Sequence, residues 1–229
     1  MLKLVTYLDG DSAERVGISA GSEIIDLGRA APLPQGAPPD CATDMLAFIR
    51  HADPMLPFAE GIAARHAAGG VPREAIRKEA ATRLLSPIPR PVSMRDGYAF
   101  RSHVEAARRS RGAPMIPEFD QFPVFYYTNH LAVTGPGQVP VMERARERLD
   151  FELEVAIVVG REGRNIAARG ADEHVFGYMI MNDWSARAPD RGDEAQPRAG
   201  QRKGLRDLPR TFPRSAQASR AAHDPGSQR

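Results

Sequence analysis

Three carboxylates stand in two apolar runs. Glu152 and Glu154 lie in "DFELEVAIVVG", residues 150–160, and Asp183 lies in "MNDWSAR", residues 181–187. Side chains alternate across a strand, so residues two apart share a face. Glu152 and Glu154 then point one way, and Phe151, Leu153 and Val155 the other. A carboxylate leaving water is costly unless it is paired or binds a metal. One reading is a strand with a wet, acidic face. The other is a metal or catalytic cavity. The first is the commoner outcome for alternating charge, but the unbroken apolar residues 156–159 predict burial on both faces and make the second a serious rival. Asp183 ends its apolar run and is expected in a loop, where functional residues concentrate. Carboxylates without cysteine or clustered histidine suit a hard cation, Mg²⁺, Mn²⁺ or Ca²⁺, better than zinc. The spacing alone is common, since many strands carry Glu-x-Glu.

A second pair is Asp96 and His103 in "RDGYAFRSH". Seven residues make two helical turns, so both face one cleft if the segment is helical. The aspartate could then reach a metal while the histidine acts as general base. The competing reading is a surface histidine on a helix that also carries Arg101, Arg108 and Arg109. Tyr126 and Tyr127 read as one core and one surface tyrosine. His51, His66 and His174 read as solvated.

The elements that must position these groups follow from periodicity and punctuation. "MLKLVTYL" alternates, "RVGIS" and "EIIDL" read as short strands, and together residues 1–28 make a small β unit. Thr43 or Asp44 caps a helix through "MLAFIRH", and "PFAEGIAARHAA" forms another that ends at Gly69-Gly70. The proline-rich "LLSPIPRPVSMRDGYAF" reads as a linker. Beyond it, "GYAFRSHVEAARRSRG" reads as helical, "PVFYYTNHLAVTGPG" and "LDFELEVAIVVG" as strands, and "ADEHVFGYMIMNDWSAR" as a helix running into a strand. Residues 188–229 hold few large apolar side chains and many arginines and prolines, which predicts a disordered, basic tail.

The 229-residue composition is globular, 42% hydrophobic and 26% charged, and the net charge of +2 gives no strong pull toward nucleic acid or anionic membrane. The single cysteine, Cys41, forms no internal disulfide and fits a reducing cytoplasm. No apolar run approaches the roughly 18 residues of a membrane span. The expectation is a cytoplasmic chain without nucleic-acid or membrane partners.

In order and at matching spacing, "RDGYAFRSHVEAARRSRG", "PVFYYTNHLAVTGPG", "LDFELEVAIVVGREGRNI" and "VFGYMIMNDWSAR" resemble the fumarylacetoacetate hydrolase family. The resemblance covers roughly residues 1 to 187. It implies an α+β fold, with a small N-terminal β-rich domain (1–75), a partial catalytic domain with an incomplete mixed rolled β-sheet (76–187), and the tail (188–229). It implies a divalent-metal enzyme, with Mg²⁺ or else Mn²⁺ or Ca²⁺, that hydrolyses a C–C bond in a β-diketo or 2-keto acid of aromatic catabolism, with an activity expected to be impaired in this truncated form. Decarboxylation or isomerisation on the same scaffold, and a non-catalytic remnant, are the alternatives. Carried over by match, Glu152, Glu154, Asp183 and Asp96 are metal ligands. His103 is the histidine that activates water, and Tyr126 falls near a substrate-contacting tyrosine. Full-length relatives are expected to be homodimers.

The match departs from the family pattern after Arg187. The family continues with a lysine-bearing loop and "DFATSLGP", whereas this chain has "APDRGDEAQPRAG". Codons for "QRKGLRDLPRTFP", shifted by one base, permit Ser-Ala-Lys-Gly-Phe-Ala-Thr-Ser-Leu-Gly-Pro-Phe, so the expectation is out-of-frame sequence after about residue 187. Gly97 replaces a position that is often aromatic.

Overall fold

A computed structural model describes residues 1–141, 143–146, 149–186 and 218–219. Two compact units emerge among them, one of residues 1–89, 133–186 and 218–219, the other of residues 90–132. The tail expected to be disordered lies outside the described residues, apart from Ala218–Ser219. The fold is α+β.

In the first unit, β1 (Lys3–Leu8), β2 (Glu14–Ala20), β3 (Glu23–Asp26) and β4 (Ile76–Lys78) form an antiparallel run. Helices α1 (Leu27–Ala30), α2 (Met45–Arg50) and α3 (Ala52–Ala67) pack on one face. The Asp44 carboxylate accepts from the Leu46 amide, which fixes the start of α2. Helix α3 begins a turn earlier than the sequence suggested and carries Pro57 inside it. Leu4, Val16, Ile18 and Ile25 meet Met45, Phe48, Met55 and Ile62 in the main core. On the opposite face Val5, Tyr7 and Ile24 pack with Leu84 of β5 (Arg83–Leu84), which pairs with β1. Gly17 makes this second layer possible, because a Cβ there would lie 2.8 Å from the Ile24 side chain and 3.2 Å from the Tyr7 ring.

The same sheet continues through β10 (Ala218–Ser219), β9 (Val175–Ala186) and β8 (Leu149–Val159), in the order β4-β3-β2-β1-β10-β9-β8. β8 and β9 pair over nearly their whole length, with an irregularity at Val158/Val159. Val158 and Phe176 join the main core, where Phe176 meets Phe48 edge-on with ring centroids 6.2 Å apart. A further short helix, Glu143–Arg146, precedes β8.

The second unit contains a two-stranded sheet, β6 (Arg95–Gly97) with β7 (Phe125–Tyr127), and helix α4 (Arg101–Arg109) between them. Gly97 opposes Phe125, and a Cβ at 97 would sit 3.0 Å from the Val124 carbonyl oxygen. A larger residue there would press β6 away from its partner.

Candidate metal centre

The β8–β9 pairing gathers the acidic residues. Glu152 stands directly opposite Asp183, and Glu154 opposite Met181. Directly opposed residues in an antiparallel pair share a face, and a diagonal neighbour lies within reach of a long side chain. Glu154 uses that reach: one of its carboxylate oxygens lies within 4.8 Å of one from Asp183. Asp183 is 4% exposed and the two glutamates are half-buried. Like charges directly opposite one another destabilise a sheet. A divalent cation offsets that repulsion, and an all-carboxylate donor set is the chemistry that Mg²⁺ and Mn²⁺ prefer. The residues present therefore fit a hard dication.

The structure corrects two expectations about this strand pair. Asp183 is not in a loop. It lies within β9, three residues before Ala186, which pairs with Leu149. The apolar run of β8 is not buried on both faces either. Phe151, Leu153, Val155, Ile157 and Val159 are 60, 69, 71, 59 and 69% exposed, and Val158 is the one residue of the run that is buried. The acidic face is the more enclosed side, the reverse of a strand with a wet, charged surface.

Asp96 and His103 do not share a helical face. Asp96 belongs to β6, and α4 starts only at Arg101. His103 is exposed on that helix, three residues from its acceptor-providing neighbour Phe100. Asp96 instead pairs in register with Tyr126, whose hydroxyl donates to the Asp96 carboxylate. The helix expected from Gly97 onward begins only at Arg101. Gly97, followed by Tyr98 and Phe100, is a poor helix interior. On the other face of the same hairpin Arg95 stacks over the rings of Phe125 and Tyr127, 6.0 and 4.8 Å from their centroids.

The three histidines expected to be solvated each have a protein partner. His51 Nδ1 lies 3.0 Å from the Ala47 carbonyl, His174 Nδ1 3.0 Å from the Arg161 carbonyl, and His66 Nε2 3.1 Å from Glu23.

Residues 93–208 match the family described as Fumarylacetoacetate (FAA) hydrolase C-terminal, just over half of the chain. The chain belongs to this family. Oxaloacetate tautomerase YisK of Bacillus subtilis (strain 168) is 36% identical over 108 residues, covering 46% of this chain and 34% of that protein. Fumarylacetoacetase of Oryza sativa subsp. japonica is 33% identical over 120 residues, covering 42% of this chain and 28% of that protein. Among solved structures, maleylpyruvate hydrolase from Sphingobium sp. SYK-6 superposes with a TM-score of 0.57 at 20% identity, over 97% of this chain and 69% of that one. The same hydrolase in complex with manganese(II) and pyruvate gives 0.54 at 22% identity, over 82% of this chain and 60% of that one. The chain thus spans about a third of the two curated relatives. The structural likeness bears on the fold, which is that of the family. No helix among the described residues is long and apolar enough to cross a membrane.

Proposed function

We propose that the protein is a divalent-metal-dependent enzyme that cleaves a C–C bond in a β-diketo or 2-keto acid, with Mg²⁺ or Mn²⁺ as its cofactor. The observation that carries the reading is the facing of Glu154 and Asp183, with Glu152 directly across from Asp183, in a chain of this family. Glu152, Glu154 and Asp183 would hold the cation, with Asp96 as a further ligand and His103 as the group that takes a proton from water. When bound, the cation supplies Lewis-acid stabilisation of the negative charge that develops on the substrate's enolate oxygens. The chain's own part is to hold the carboxylates in place. Asp183 is fixed by its position inside a paired strand rather than on a loop, and it is buried there.

A second reading, keto–enol tautomerisation or another isomerisation of a 2-keto acid, is favoured by the 36% identity to an oxaloacetate tautomerase. It needs the same enolate stabilisation and no attacking water. A cytoplasmic location, from the single cysteine, and a homodimer, from the resemblance to full-length relatives, belong to the same proposal.

The test is purified chain with Mn²⁺ or Mg²⁺ and two substrates, an acylpyruvate followed by loss of enol absorbance with product analysis, and oxaloacetate followed by keto–enol exchange. Acid products from the acylpyruvate support the hydrolase. Enol exchange without cleavage supports the tautomerase. Metal-independent rates with both would overturn the metal-enzyme reading. Glu154→Gln should lower Mn²⁺ affinity and turnover together.

A further inference from the structure

We infer that the outer edge of β8 pairs antiparallel with β8 of a second copy of this chain, about a two-fold axis at Val155, and so joins two sheets into one. The inference rests on the homodimer of the reading above and assigns it a surface, drawn from one compact unit only. β8 ends the strand order β4-β3-β2-β1-β10-β9-β8, and among the described residues β9 is the one strand beside it. It is eleven residues long, against about five or six for a usual strand. An edge strand presents a row of backbone N–H and C=O groups that templates pairing with another chain, and lysine, proline or a bulge commonly blocks that pairing. Leu149–Val159 contains neither lysine nor proline. The irregularity at Val158/Val159 puts the extra residue, Phe176, in β9 and leaves β8 itself regular. The apolar residues at its odd positions from Phe151 to Val159 stand exposed.

The carboxylates select both the occupant and the register. A two-fold axis perpendicular to the sheet keeps like faces together, so even positions oppose even positions. An axis at Leu153 would set Glu152 against Glu154 of the second copy, and an axis at Glu152 or Glu154 would set that residue against its own copy. Like charges directly opposite one another destabilise a sheet. An axis at Val155 sets Glu154 opposite Ala156 and Glu152 opposite Val158, and it pairs Phe151 with Val159 and Leu153 with Ile157. It is the longest register that opposes no two carboxylates. A strand with its acids in the first half and only apolar residues in the second is complementary to itself run backwards. Face-to-face stacking of the two exposed rows is the competing dimer, and geometry separates the two. Opposed residues of an antiparallel pair have Cα atoms about 4.5–5.5 Å apart, whereas stacked sheets lie about 10 Å apart.

The experiment is sedimentation of the full chain over a dilution series, joined to disulfide trapping with copper phenanthroline. Cys41 is buried, with its thiol donating to the Ala47 carbonyl, so the wild-type chain should not cross-link. A disulfide needs Cα atoms within about 7 Å of each other. Val155→Cys should therefore run as a covalent dimer, and Phe151→Cys should not. Val155→Lys sets two ammonium groups opposite each other and should return the chain to monomer. Ile180→Lys, on β9 opposite Val155 and exposed, should leave the dimer intact. Circular dichroism checks that each variant is folded, and the Val155→Cys link is read without any disruptive substitution. A dimer that Val155→Cys does not link, or that Ile180→Lys also dissolves, overturns edge pairing and leaves the homodimer standing. A link through Phe151→Cys would mean a parallel or shifted pairing and overturn the axis at Val155. A chain that stays monomeric through the whole series sinks the pairing and the homodimer together.

Discussion

β2 and β8 run in the same sheet, yet their apolar residues sit in opposite situations. In β2, Val16, Gly17, Ile18 and Ser19 are buried one after another, because α2 and α3 cover one face and Tyr7, Ile24 and Leu84 crowd the other. In β8, the apolar residues on the odd positions are largely exposed, and the enclosed face is the one that carries Glu152 and Glu154. Burial in a sheet is set by how many layers pack on it, which a single strand's composition does not encode. The difference teaches where stability and chemistry reside. The β1–β3 region is a two-sided hydrophobic structure held by packing. The β8–β9 region is a one-sided platform whose enclosed face presents carboxylates.

The largest effect should come from the packed region. Phe48 is fully buried and meets both the main core and Phe176. Phe48→Ala should destabilise the fold by about 3–5 kcal/mol, measured by the midpoint of urea unfolding. The matched change on the platform, Val155→Ala, should stay within about 0.5 kcal/mol. Equal costs would erase the contrast between the two regions.

A smaller effect separates the two regions by pH. Around β1 and α1 the polar groups are tied in a charged network. Asp26, fully buried, accepts from the Tyr7 hydroxyl at 2.5 Å, from Arg15 Nε at 2.9 Å and from the Arg29 amide at 2.9 Å. Asp9 accepts from Arg29 and, at 3.2 Å, from Arg77. The hydrogen bond from Arg29 chiefly, helped by Arg77, holds the Asp9 carboxyl well below the usual carboxylate range. Burial, and secondarily its bond to Asp26, pushes the Tyr7 phenol up. A carboxylate whose folded pKa is depressed contributes stability above its unfolded pKa, near 4, and that contribution is lost as pH falls toward the folded value. Stability should therefore fall between about pH 4 and pH 2, and Asp9→Asn should flatten that fall while lowering stability at pH 7. An Asp9→Asn chain with the wild-type slope would show that this network does not set acid sensitivity.

Legibility in the sequence followed the same division. β1, β2 and β3 were readable because alternation was bounded by turn residues at 9–13 and 20–22. The Asp44 cap was readable because a short acidic residue precedes an apolar run. The face shared by Glu152 and Glu154 was readable because strand period is two. Which face would be covered was not, since the burial of Val158 depends on a core built with helices from residues 45–67, more than eighty positions away. Asp183 was misplaced because "MNDWSAR" is polar enough to resemble a loop, whereas its pairing with Glu152 is a tertiary fact. Asp96 was misplaced because three-residue strands carry too few positions for period two to appear.

The smallest expected change in stability, and the sharpest test of the platform, is Leu153→Lys. Leu153 lies between Phe151 and Val155 in the exposed row that runs on through Ile157 and Val159, with Ile180 of β9 exposed directly opposite Val155. Contiguous exposed apolar patches beyond a few hundred Å² mark association surfaces or aggregation liabilities, and six adjacent side chains of this size reach that range. A lysine there keeps its stem along the sheet and its ammonium in water. Unfolding free energy should change by no more than about 0.5 kcal/mol, because little packs on the residue to be lost. Concentration-dependent light scattering should fall relative to wild type, because a charge in the row interrupts contact between copies of the chain. Mn²⁺ affinity should be untouched, since Glu152 and Glu154 point to the other face of the strand. A loss of stability on the scale of Phe48→Ala would mean that the odd face of β8 is covered in solution, and the one-sided platform would have to be abandoned.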